Sequence, residues 1–284
     1  MQDTRSADWY DQQYNARAGI PEHATIFTRW QRDSARVRRG HLALLDLHFG
    51  EAAEERLDFF PAPHAGAPLL VFIHGGWWRS LDKSDFSFLV PAWLSAGYSV
   101  ALTNYTLAPA ASIAEMVMQQ LRGLAWLYRH AEHYEFDRER IAVAGHSAGG
   151  HLAAMMLAAH WQVYGADLPA DLVKAGVLMS GLYDLDAVRH ASFVNRDLKL
   201  APEHVEALSP AGMQLQRHVP FISAVGGEES EEFQRQTRLL GERWKASRAA
   251  EVPLPGVNHL TICDEFADPR SPLFRQAKAL LDLM

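Results

Sequence analysis

The sequence predicts an α/β fold: a mostly parallel central sheet with helices on both faces. Short apolar runs such as LLVFIHG (69–75) recur along the chain and suit strands covered on both sides. Helical patterns of about ten to twenty residues separate them, which implies βαβ crossovers. Between Leu69 and Met284 nothing resembles a linker, and no repeat or low-complexity stretch interrupts the chain. One domain over residues 1–284 is therefore expected.

Residues 1–40 read as a polar lead-in with a helix around Ala24 to Arg38. Arg32, Arg36 and Arg39 fall on one face of it, as solvated charges do. Candidate strands follow at 41–50 and 56–62, then the run ending at Gly75. SDFSFLVPAWLSAG (84–97) reads as a helix with Ser84 as N-cap and Gly97 just past its end, and Pro91 breaks or kinks it. YSVALTNY (98–105) is the next strand. Ile113, Val117, Leu121, Leu124 and Tyr128 recur at helical spacing and mark one face of a long helix. RIAVAGH (140–146) is a strand that runs into a helix through HLAAMMLAAH (151–160). AGVLMSG (175–181), FISAVGG (221–227) and AAEVPLPG (249–256) supply three more strands. Between the last two, residues 231–246 form a helix with Phe233, Leu240 and Trp244 on one face. Residues 183–218 break the alternation. They are expected as an insertion over the sheet's C-terminal edge, where open α/β sheets bind ligands, and with the N-terminal segment they would form a small cap.

The chain of 284 residues is 48% hydrophobic and 21% charged, with a net charge of −7, and has no convincing basic patch, so nucleic acid is not an expected partner. Cys263 is the single cysteine, which rules out an intrachain disulfide. The N-terminus MQDTRSADWYDQQYNARAG has no apolar signal core, and no apolar run approaches the roughly 18 residues of a membrane span. A cytoplasmic protein with a small-molecule partner and no membrane or nucleic-acid partner is expected. Composition leaves a homodimer open.

Gly145-His146-Ser147-Ala148-Gly149 sits between a strand and a helix. A sharp corner there exposes a serine hydroxyl at a helix N-terminus and crowds the backbone two residues before and two after, where glycine fits. Ser147 is the candidate nucleophile. Its base and acid are expected later in the chain. Of the later histidines, His160 ends the helix that Ser147 opens, whereas His259 lies in a loop after the last central strand, where a base at the top of the sheet belongs. The acid should leave the strand FISAVGG, where Glu228, Glu229, Glu231 and Glu232 all qualify by position. Earlier, His74-Gly75-Gly76-Trp77 follows a strand facing the nucleophile corner. The amides of Gly75, Gly76 and Trp77, with that of Ala148, are expected to form an oxyanion hole, and His74 a structural hydrogen bond.

With these residues in place, the chain resembles the α/β-hydrolase superfamily, and within it the kynurenine formamidase (arylformamidase) group of esterase/lipase-like enzymes. The shared pattern is His-Gly-Gly-aromatic-Trp (74–78), Tyr-x-Leu-Ala-Pro (105–109), Gly-His-Ser-Ala-Gly-Gly-His-Leu (145–152), Ser-Gly-x-Tyr-Asp-Leu (180–185) and Leu-Ser-Pro (208–210). The resemblance implies Glu229 as the acid, a glutamate where many members carry aspartate, with Glu228 as its rival. It implies hydrolysis of N-formyl-L-kynurenine to L-kynurenine and formate without metal or organic cofactor; an ester, thioester or other amide of a small acyl group is the alternative, and a hydrolase-fold binding protein without catalysis a remote one. Trp77, Trp78, His146 and Tyr183 are the expected substrate-lining side chains, and one of the two tryptophans is expected in the core.

Overall fold

The computed structural model describes residues 5–284. Eight strands form one sheet: β1 (Leu44–His48), β2 (Arg56–Phe60), β3 (Ala67–Ile73), β4 (Ser99–Thr103), β5 (Phe136–His146), β6 (Ala175–Met179), β7 (Phe221–Gly226) and β8 (Arg248–Leu254). Their order across the sheet is β1-β2-β4-β3-β5-β6-β7-β8. The β1–β2 and β2–β4 pairs are antiparallel, and the remaining pairs are parallel.

The chain crosses from β3 to β4 on one side and returns to β5 on the other. This reversal leaves a crevice at the C-terminal ends of β3 and β5, which pair in register from Leu69 with Ile141 to Ile73 with Gly145. The His-Gly-Gly turn and the nucleophile corner therefore emerge side by side. The apolar run of β3 reflects burial on both faces. Leu69, Val71 and Ile73 pack with Leu57, Phe59 and the helix Ile113–His130, while Leu70 and Phe72 pack with Phe86, Trp93 and the helix Pro272–Leu281.

The stretch after the His-Gly-Gly turn departs from the expected single helix. A 3₁₀ turn over Lys83–Leu89 is followed by a short α-helix, Val90–Ser95. Asp82, not Ser84, is the N-cap, and its carboxylate accepts from the Ser84 amide at 2.8 Å. Pro91 has no N–H to give, so it occupies the first turn of the second helix, where no intrahelical partner is needed. Gly97, at φ +93°, ends the element as expected.

The lead-in is more ordered than its polarity suggests. Besides the helix His23–Gly40, residues Ala7–Tyr14 form a helix capped by Ser6, whose hydroxyl accepts from the Trp9 amide at 3.2 Å. Tyr10 and Tyr14, one turn apart, bury its inner face. Arg32 and Arg36 are solvated beside Asp33, but Arg38 reaches the buried Asp58 at 2.8 Å. Residues 183–218 fold into three short helices, Leu185–Val188, Ser192–Leu198 and Pro202–Leu208. They touch the N-terminal helix where Ser192 donates to Asp11. Among the described residues no helix is long and apolar enough to cross a membrane.

Candidate active site

Ser147 stands at φ +57°, ψ −120°, at the head of the helix Ala148–Ala158. The corner is as tight as its glycines imply. A Cβ on Gly145 would lie 2.1 Å from the Gly149 carbonyl oxygen, and one on Gly149 would lie 2.0 Å from that of Ile73. The Ser147 hydroxyl lies 3.0 Å from His259 Nε2, and His259 Nδ1 lies 2.6 Å from Glu229 Oε2. With the ring proton on Nδ1, His259 donates to Glu229 and leaves Nε2 free to accept from the serine.

The Glu229 side chain is fully buried, yet each of its oxygens is satisfied. Oε1 accepts from the Gly226 amide at 2.7 Å and from Ser180 Oγ at 2.6 Å, while Oε2 accepts from His259 Nδ1–H at 2.6 Å. Glu228 lies at the surface, so Glu229 is the carboxylate that reaches the imidazole. The supporting role of Ser180 escapes sequence reasoning. Its only signal is a place at the end of β6, within a motif whose purpose the sequence does not state.

The oxyanion turn follows β3. The amides of Gly75, Gly76, Trp77 and Ala148 donate no hydrogen bond among the described residues, so all four are free to serve a ligand. The two glycines have reasons beyond ligand access. A Cβ on Gly75 would meet the His146 carbonyl at 2.8 Å and Ser147 Cβ at 3.0 Å, so the turn presses directly on the nucleophile corner. Gly76 adopts φ +111°, and a Cβ there would lie 2.1 Å from the Ser80 carbonyl. His74 plays the structural part expected of it, with Nδ1 2.8 Å from the Gly75 carbonyl and Nε2 2.9 Å from Asn104 Oδ1.

The expected substrate-lining side chains are placed otherwise. His146 is buried beneath the base, and its Nε2–H donates to the His259 carbonyl at 2.7 Å. It faces the His259 loop because it precedes the corner on a buried strand. Tyr183 is wholly buried with its ring against Gly181, where a Cβ would come within 2.3 Å of it. Trp78 is also wholly buried, edge-on to His151 at 5.2 Å. Trp77 is the tryptophan nearer the chemistry: it packs on Phe233, whose ring lies 4.3 Å from His259.

A cavity of about 660 Å³ opens beside His259 and Phe233. Residues of the N-terminal segment from Asp11 to Glu22 form one wall, and Glu228, Glu229, Ser230, Phe233, Asn258 and His259 form the other. Asn258 fixes this loop by accepting from the Leu260 and Thr261 amides at 3.0 and 2.9 Å. Every charged residue lining the cavity is acidic. Among the described residues no cluster of histidine, cysteine and carboxylate side chains could hold a metal ion.

Burial pushes the imidazoles of His74, His146 and His151 below their ordinary pKa, that of His151 to about 4, and for His146 the neighbouring His259 adds to the effect. Folding therefore favours their neutral forms, whereas the unfolded chain takes up protons below about pH 6.5. Stability present above that pH is therefore lost as pH falls. Each histidine is expected to contribute a slope of up to about 1.4 kcal/mol per pH unit. Urea unfolding followed from neutral pH down to about pH 5 measures the slope, and His151→Gln should lower it by close to one proton. An unchanged slope in that variant contradicts the assignment.

The family model described as BD-FAE matches residues 57–218. A kynurenine formamidase from Danio rerio is 30% identical over 245 residues, which is 82% of this chain and 80% of that protein. One from Salmo salar is 27% identical over 259 residues, 88% and 84% of the two chains. A crystal structure from Silicibacter sp. tm1040, provisionally described as a thioesterase, matches with a TM-score of 0.83 at 31% identity, over 96% of this chain and 98% of that one. Esterases stand among the further relatives.

Proposed function

This chain belongs to the BD-FAE family of α/β-hydrolases and is a hydrolase, and from that premise we propose that it is a serine hydrolase that removes a formyl group from an aryl amine, as in the conversion of N-formyl-L-kynurenine to L-kynurenine and formate. The observation that carries this reading is the cavity against His259 and Glu229, the base and acid that serve Ser147. Ser147 and Trp77 are 2% and 9% exposed, and Trp78 is wholly buried. The open volume lies instead against His259 and Glu229. His259, which lines that cavity, delivers the proton to the departing group, so the cavity is assigned to a bulky leaving group. A formamide of a large amine supplies such a group.

In the proposed reaction, Ser147 attacks the formyl carbon while His259 takes its proton. The Gly75, Gly76, Trp77 and Ala148 amides meet the developing oxyanion. His259 then protonates the aniline nitrogen, the C–N bond breaks, and water, deprotonated by the same imidazole, releases formate from the serine. The carboxylates of Glu22 and Glu228 at the cavity suit the ammonium of an amino-acid leaving group and disfavour a polyanionic thioester carrier. A cytoplasmic site of action accords with the single, buried Cys263.

The experiment is steady-state kinetics on N-formyl-L-kynurenine and its N-acetyl counterpart. One added methyl in a filled acyl site should lower kcat/KM by about 10- to 200-fold. Equal values for the two would remove the formamidase reading.

A further inference from the structure

We propose that the N-terminal segment is a working part of the active site: Tyr14 is a positioning residue that holds Trp77, and with it the oxyanion turn, in the conformation catalysis needs. The proposal rests on the serine-hydrolase reading above but not on its preference for formamides.

Trp77 and Trp78 stand at φ +57° and +55°, two successive bulky residues in the left-handed region. Such a conformation is costly for residues other than glycine and persists only where the surroundings enforce it. The main chain supplies part of that. The Gly76 carbonyl accepts from the Arg79 and Ser80 amides at 3.1 and 3.0 Å, closing the turn around both tryptophans. Trp77 itself contributes nothing to that closure, since among the described residues neither its N–H nor its carbonyl makes a hydrogen bond. Its orientation therefore depends on its ring, which is wedged edge-on against Tyr14 and Phe193, each at 5.7 Å, and against Phe233 at 6.3 Å.

Among these neighbours Tyr14 is the one that is anchored at both ends. Its ring is wholly buried and meets Phe233, as well as Trp77, edge-on at 5.7 Å. Its hydroxyl donates to Glu232 Oε2 at 2.8 Å and accepts from Gln236 Nε2 at 2.9 Å. The segment just before it is pinned to the acid's own loop, where Ser230 Oγ donates to the Gln13 carbonyl at 2.6 Å. Phe233 in turn lies 4.3 Å from His259. One side chain from the N-terminal segment thus braces the oxyanion turn directly and the base through a single intervening ring.

The test compares Tyr14→Leu and Tyr14→Phe with the unaltered chain. Leucine keeps the position apolar, so the fold survives, but it removes the ring edge; phenylalanine keeps the ring. The measurements are kcat and KM for p-nitrophenyl acetate, and the inhibition constant of methylboronic acid, whose tetrahedral adduct with Ser147 mimics the acetyl intermediate and places an anionic oxygen in the hole. For Tyr14→Leu, kcat should fall by about 10- to 100-fold with KM changed by less than about threefold, and boronate affinity should weaken in step with kcat. Tyr14→Phe should recover most of both. Wild-type kcat in Tyr14→Leu overturns the proposal. So does a fall in kcat with boronate affinity unchanged, or a Tyr14→Phe variant as impaired as Tyr14→Leu.

Discussion

Ser147→Ala is expected to lower kcat by about 10⁶-fold while leaving the fold and substrate binding intact. The hydroxyl is the group that bonds to carbon in the first step, and nothing else near His259 can replace it. Among the described residues it makes one hydrogen bond, to His259 Nε2 at 3.0 Å, so its loss should change stability by no more than about 1 kcal/mol. A residual rate above that of water should persist, because the amides of the turn and of Ala148, proposed to meet the oxyanion, remain in place. Turnover near the wild-type level in pure Ser147→Ala, with ester or formamide, would show that the corner is only a helix start.

Glu229→Gln should cost about 10²- to 10⁴-fold in kcat, whereas Glu228→Gln should cost less than about twofold. The size of the first effect follows from how Glu229 is held. Its Oε1 accepts from both Gly226 N and Ser180 Oγ, so a glutamine would keep its oxygen there and turn its NH₂ towards His259. Nδ1 would then have to accept, which places the ring proton on Nε2, where it blocks proton transfer from Ser147. The defect is thus a wrong tautomer as well as a missing charge. Glu228 is exposed and its amide, not its carboxylate, makes the local bond, to the Val257 carbonyl at 3.0 Å. Steady-state kinetics on both variants separate the two glutamates, and the reverse ranking would move the acid by one residue.

The sheet is legible in the sequence because strand patterns are local: each apolar run between turn residues carries its own signal. The nucleophile corner is legible for the same reason, since Gly145, Ser147 and Gly149 lie within five residues of one another. Choosing among four neighbouring glutamates needs the spatial path from β7 to His259, which spacing cannot supply. Tyr14 and Glu232, 218 residues apart, have no mutual signal, so the helix at Ala7–Tyr14 reads as polar lead-in although its tyrosines complete the aromatic wall. The placement of His146 and Tyr183 illustrates the same limit. Motif membership puts them near the site, but burial turns one under the base and the other into the core.

The glycines of the opening turn carry a related lesson. Sequence logic assigns both to ligand access, whereas Gly75 is required by contact with the nucleophile corner and Gly76 by its own backbone and the Ser80 carbonyl. The tryptophans after them occupy left-handed positions that no propensity scale would assign to such large residues. The ring of Trp77 meets aromatic neighbours from three distant parts of the chain, Tyr14, Phe193 and Phe233.

The central claim is the proposal that Ser147 acts on a small acyl group carried by a large amine, for which the cavity beside His259 offers the room. The most direct measurement is kcat/KM for N-formyl-L-kynurenine beside p-nitrophenyl butyrate, on the same preparation. The account predicts the formamide to be the better substrate by at least about tenfold, despite its poorer leaving group. A butyrate ester that is turned over as well or better would contradict it and leave a general esterase in its place.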